Sequence, residues 1–143
     1  MNDDLFRPTI AARPTAVGEP PWRPDSIIYP AIFGGPLAAT VLGTLNARRL
    51  GLGRNVQLAV IAVGLACIVA RVVATSSVTG LAGGRILGSI AGAVVWGMVI
   101  LTQKKAFRAY QYGGGEPSSL VGPGIGAALG CGIVEAVLIA GVS

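Results

Sequence analysis

Apolar residues run along this chain in four long blocks rather than in the alternating stripes that a helix or strand presents to water. Residues 27–47, 55–74, 78–101 and 120–142 hold only Arg71, Arg85 and Glu135 as charged side chains. Each block has about 20 residues or more, which at ~1.5 Å per residue reaches across roughly 30 Å of bilayer hydrocarbon. A soluble bundle made from these blocks would need a polar face on every helix, and none has one. The pattern predicts an all-α, four-helix transmembrane bundle over 27–143, preceded by a disordered, Pro-rich tail over 1–26.

Breaks in the pattern add detail. The first block contains Phe33-Gly34-Gly35-Pro36, and proline suits a first helical turn but disrupts an interior. Regular helix is therefore expected from Pro36, with 27–33 as a kinked or interfacial entry. Only Thr75-Ser76-Ser77 joins the second and third blocks, which predicts a tight antiparallel hairpin. Residues 103–112 are basic and carry Phe107, Tyr110 and Tyr112, so the third helix is expected to continue along the headgroups until Gly113-Gly114-Gly115-Glu116-Pro117 stops it. Trp22, in a Pro-rich stretch just before the first block, reads as an interfacial anchor.

Composition supports a membrane class: 12% of residues are charged, about half the share usual in soluble domains. The net charge of +5 is placed asymmetrically. Arg48, Arg49 and Arg54 follow the first helix, and Lys104, Lys105 and Arg108 follow the third. In a four-pass chain both connections share one side, and basic connections favour the cytoplasm. Arg7, Arg13 and Arg23 in the tail are balanced by Asp3, Asp4, Glu19 and Asp25. Both termini are therefore expected outside. Asp3 and Asp4 stand where a signal peptide carries its basic region. Anionic headgroups account for the charge, so the expected partner is the lipid bilayer, with a homo-oligomer or larger membrane complex and no nucleic acid.

Small residues repeat every four positions. The series are Gly80, Gly84, Gly88 and Gly92 on the third helix and Gly122, Gly126 and Gly130 on the fourth. The second carries Ala62, Ala66, Ala70 and Ala74, and the first Gly35, Ala39 and Gly43. Such ladders let helix backbones approach closely in lipid, so they are expected to be packing faces, within the chain or against a second subunit.

Tyr29, then Phe33-Gly34-Gly35-Pro36-Leu37-Ala38, then Asn46-Ala47-Arg48-Arg49-Leu50-Gly51 resembles a family of uncharacterised small multi-pass bacterial membrane proteins. There an aromatic, a Gly-rich Pro-Leu-Ala turn and an Asn-x-Arg-x-Leu-Gly ending bracket the first helix. Gln103 and Gly114-Gly115 are similar to that family's third-helix exit and loop. The resemblance implies the architecture and a bacterial inner membrane, and it brings no activity with it.

The chain contains no histidine, which removes the commonest general base and metal ligand. Cys67 and Cys131 lack a Cys-x-x-Cys spacing and a carboxylate cluster, so no metal site is expected. The glycine runs neither follow a strand nor end in Lys-Ser/Thr, so no phosphate loop is expected either. Catalytic residues and cofactors are absent from this reading, and the chain is not expected to be an enzyme. What remains is the intramembrane charge cluster of Arg71, Arg85 and Glu135. Counted along their helices, Arg71 and Glu135 lie ~24 and ~22 Å from the cytoplasmic boundary and Arg85 ~20 Å, all in one layer. A charge in hydrocarbon costs on the order of 2.5–3.5 kcal/mol, so charges at matched depth should meet each other or line a wet cavity. The leading expectation is a non-enzymatic structural or accessory subunit of a membrane assembly. The alternative is a small oligomeric carrier or channel using the Arg71, Arg85 and Glu135 layer.

Overall fold

A computed structural model describes residues 18–77 and 80–142. The fold is all-α, a bundle of four helices: α1 (Ile28–Arg49), α2 (Arg54–Ser77), α3 (Leu81–Tyr112) and α4 (Val121–Val142), with a 3₁₀ turn at Pro24–Ile27 leading into α1. By length and composition all four could cross a membrane if straight. The helix limits lie close to those read from the apolar blocks, and α3 runs on through the basic 103–112 stretch to Tyr112, as expected from that stretch.

The first helix departs most from expectation. Gly35 has φ 73° and ψ −167°, outside any helical region, and only glycine reaches such a conformation without steric cost. Instead of a kink, the chain reverses. The backbone N–H of Trp22 donates to Asn46 Oδ1 at 2.7 Å, whereas a straight helix would hold these residues ~36 Å apart. Ile27 packs beside Leu42 in one cluster with Val60 and Val99. Both arms run along the same length of α3. Asp25 meets Lys104, and Ser89 reaches the Ile32 carbonyl. On the way back, Gly43 lies against Val99 and Asn46 bonds Gln103.

Thus α1 is a helical hairpin with a first arm over 24–34, a tip at Gly35-Pro36 and a second arm over 36–49. The second arm is ~21 Å long, so the tip reaches about two-thirds of the way through a ~30 Å slab. Beyond the tip only the ends of α2, α3 and α4 continue, each by about a turn and a half to two turns, ~10 Å.

The reversal moves the start of the described chain. Arg49 pairs with Glu19 and stacks over Trp22 with its guanidinium carbon 3.8 Å from the ring centroid. Ser118 N–H donates to the Pro21 carbonyl at 3.0 Å. The segment from Gly18 therefore shares the end of the bundle with both basic connections, and Val142 lies at the other end. Had α1 been a full crossing, the segment from Gly18 would stand at the Val142 end instead. Residues 18–26, expected as part of a disordered tail, are held by these contacts, while 1–17 lie outside the described residues. Trp22 is buried at 2% exposure inside the bundle's base and does not face lipid as an anchor.

The hairpin sits at the centre of the packing. It touches all three other helices, whereas α3 and α4 hardly touch each other. Of the small-residue ladders, Gly35, Ala39 and Gly43 are buried. On α3, Gly92 lies against the Ala31 carbonyl and Gly88 against Arg71, but Gly80 faces open space and Gly84 meets only Thr75 at van der Waals distance. Residues four apart turn by about 40° per step around a helix, so this ladder leaves the interface after one repeat. Among the described residues, Gly122, Gly126 and Gly130 have no neighbour within 4 Å of where a Cβ would stand, and Ala62, Ala66 and Ala70 are exposed. The faces in use are Gly124, Ala128, Gly132 and Glu135 on α4 and Val60, Gly64, Cys67 and Arg71 on α2.

Candidate functional site

A helix broken inside a membrane leaves backbone groups without partners, and each must find one in the protein. At the hairpin tip these partners come from three different helices. The first arm ends on carbonyls; that of Ile32 accepts from Ser89 Oγ of α3 at 3.0 Å. Pro36 opens the second arm, where its missing N–H is no loss. Its own carbonyl accepts from Thr40 Oγ1 at 2.7 Å, and Leu37 N–H donates to Glu135 Oε1 of α4 at 2.7 Å. Glu135 is thus an N-terminal cap supplied from 98 residues away, placed where a helix dipole favours negative charge.

The other carboxylate oxygen, Glu135 Oε2, pairs with Arg71 Nη1 of α2. Glu135 is 3% exposed and Arg71 15%. Two glycines make the room. A Cβ on Gly35 would stand 2.5 Å from Glu135 Oε2 and 2.8 Å from Arg71 Nη1; one on Gly88 would stand 2.6 Å from the Arg71 guanidinium carbon. The Nε of Arg71 is buried and has no hydrogen-bond partner among the described residues.

Beside this pair lies a cavity of about 510 Å³ between the first arm, α3 and α4, on the side where those two helices hardly touch. Its polar wall is formed by Arg71, Arg85 and Ser89 with the end of the first arm at Gly34 and Gly35. Arg85 is in this wall but makes no ion pair among the described residues. Of the three charges expected in one layer, Arg71 and Glu135 are therefore in contact, while Arg85 shares only the cavity with Arg71. Cys67 and Cys131 are half-buried free thiols. The size matches small-molecule sites, which usually measure ~300–1,000 Å³.

A second polar cluster fixes the hairpin's open end. Asn46 Nδ2 donates to Gln103 Oε1 at 2.9 Å, and Gln103 Nε2 donates to the Gly43 carbonyl at 2.7 Å. With the Trp22 N–H on Asn46, the entry and exit of α1 are tied to each other and to α3. Sequence reasoning noted Asn46 and Gln103 only within a resemblance. Two amides at the ends of different apolar blocks were the available signal, but their meeting depends on the reversal at Gly35. Compared with known protein families, characterised proteins and solved structures, the chain matches none.

Proposed function

We propose that this chain is a subunit of a small oligomeric carrier or channel for an anion, with the hairpin tip as its central site. Irregular backbone at membrane depth is tolerated where it is buried in protein or lines a cavity, and broken helices of this kind form the solute sites of many transporters. The observation that carries the reading is that Arg85, an exposed side chain, lines the same cavity wall as Arg71. Glu135 balances one guanidinium and leaves the other on the wall of a space of ligand size. An uncompensated cation at this depth favours an anion. The cavity lies at the gap between α3 and α4, so a neighbouring copy is the natural fourth wall. In this reading the basic end, with Arg48, Arg54, Lys105 and Arg108, lies on the cytoplasmic side together with the segment from Gly18, and Val142 lies opposite.

Reconstitution into liposomes with chloride, phosphate and acetate tests the proposal. Flux of at least one anion is expected, falling about tenfold in Arg85→Gln with the fold retained by circular dichroism. If the folded protein passes none of the three and none changes its thermal stability, the accessory-subunit reading takes precedence. A specific observation favours that second reading: both oxygens of Glu135 are already engaged, one by Leu37 and one by Arg71, as a purely structural lock requires.

A further inference from the structure

We infer that the cationic end of α3 is a seat for the headgroup of an anionic phospholipid, independent of the cavity at the hairpin tip. Lys104 lies sixteen residues from Gly88 along α3, ~24 Å from the tip layer and so at the boundary where hydrocarbon gives way to headgroups. Here the helix has two unlike faces. Gln103, Phe107 and Tyr110 are buried against the bundle with Leu50, whereas Leu101 is 83% and Tyr112 89% exposed. Leu101, Lys104, Lys105, Arg108 and Tyr112 fall at helical spacing on the outer face.

A groove of about 530 Å³ follows that face, with Ile100 and Leu101 at its membrane end, Lys104, Lys105 and Arg108 above them, and Tyr112 last. An adjoining hollow of about 260 Å³ shares Lys104 and Arg108 and adds Arg23 and Asp25. Asp25 is taken by Lys104 at 3.2 Å, which leaves Lys105, Arg108 and Arg23 for a phosphate. Apolar wall first and cations next, read outward along one helix, is the order of an acyl chain and its headgroup. A free phosphate would have no use for the apolar part. Arg23 belongs to the strand of chain entering the hairpin, so a headgroup spanning Arg23 and Arg108 would tie the hairpin's base to α3 alongside the Asp25–Lys104 pair.

The test is native mass spectrometry of the full chain released from nanodiscs containing equal amounts of phosphatidylglycerol and phosphatidylcholine. Phosphatidylglycerol adducts should dominate severalfold. Removing each cation of the seat should lower their retention about fivefold, the value of one basic residue near an anionic surface, so that Lys105→Gln with Arg108→Gln loses more than tenfold. The pair Arg48→Gln with Arg54→Gln, at the same end but outside the groove, should change retention little. Equal loss in both pairs would mean a diffuse field with no seat, and equal adducts of the two lipids in the unaltered chain, a readout that needs no variant, would overturn the proposal outright. Inorganic phosphate stabilising the detergent-solubilised protein as well as phosphatidylglycerol does would also overturn it, in favour of a soluble ligand.

Discussion

Neutralising Glu135 and Arg71 separately and together measures how much of the bundle depends on the hairpin-tip lock. In Glu135→Gln the side-chain carbonyl can still accept the Leu37 N–H, so the hydrogen bond at 2.7 Å survives and the loss is the charge opposite Arg71. Leaving one member of a buried pair uncompensated costs about 3–5 kcal/mol. Arg71→Gln strands the carboxylate at 3% exposure and empties the space over Gly88, so its cost should be at least as large. In the double variant neither charge is left alone, and two amides of similar length can bond each other. It should lose no more than about either single variant, a coupling of roughly 3 kcal/mol. Thermal unfolding in a mild detergent, followed by helical circular dichroism, reads this as a midpoint lowered by ~10 °C in each single variant and not lowered further in the double. Strictly additive losses would refute the reasoning, because they would mean that Arg71 and Glu135 act on the fold without acting on each other.

Three further outcomes follow from the geometry. In a background lacking Cys67 and Cys131, cysteines introduced as Gly18→Cys and Leu52→Cys should be labelled by an impermeant reagent from the same side of a vesicle, and Gly141→Cys from the other; labelling of the first two from opposite sides would rule out the reversal at Gly35. Gly92→Leu, which drives a side chain into the Ala31 carbonyl, should cost more than about 2 kcal/mol, while Gly126→Leu, facing open space, should stay within about 0.5 kcal/mol when both are compared by thermal midpoint. Asn46→Leu removes the partners of Trp22 N–H and Gln103. At about 1–3 kcal/mol for each polar group left unsatisfied it should loosen the hairpin base, seen as faster proteolysis near Arg23.

The four helices were legible because length and apolarity are local properties, and a run of 20 residues without a polar face has few other fates. The break at Gly35-Pro36 was equally legible, since proline and glycine act on their own backbone. Its consequence was not. Local sequence says that a helix stops there, but whether the chain bends or turns back depends on Ser89, Gln103 and Glu135, residues 57 to 98 positions away from their hairpin partners. The contact of Arg71 with Glu135 lies within what depth counting suggested, because α2 and α4 run in the same direction through the bundle whatever α1 does. The placement of the segment from Gly18, which rests on α1 alone, differs from what a full crossing by α1 would give: it stands at the end of the bundle that holds the basic connections. Ladder reasoning met a different obstacle: spacing by four names a face but not its neighbour, and on α2 and α4 the neighbour lies on another side of the helix. The two short segments that bracket the second arm have separate physical tasks. Phe33 to Ala38 builds the tip, and Asn46 to Gly51 closes the base.

The hairpin also constrains how the chain is put into the membrane. Neither arm alone is long enough to cross hydrocarbon, and the backbone groups exposed at its tip have their partners on helices synthesised later, Ser89 on α3 and Glu135 on α4. The hairpin therefore precedes in the chain the helices whose side chains complete it. Until α4 is in place, Leu37 N–H lacks its acceptor and Arg71 its counter-charge, so the tip can close only once α4 has joined the bundle.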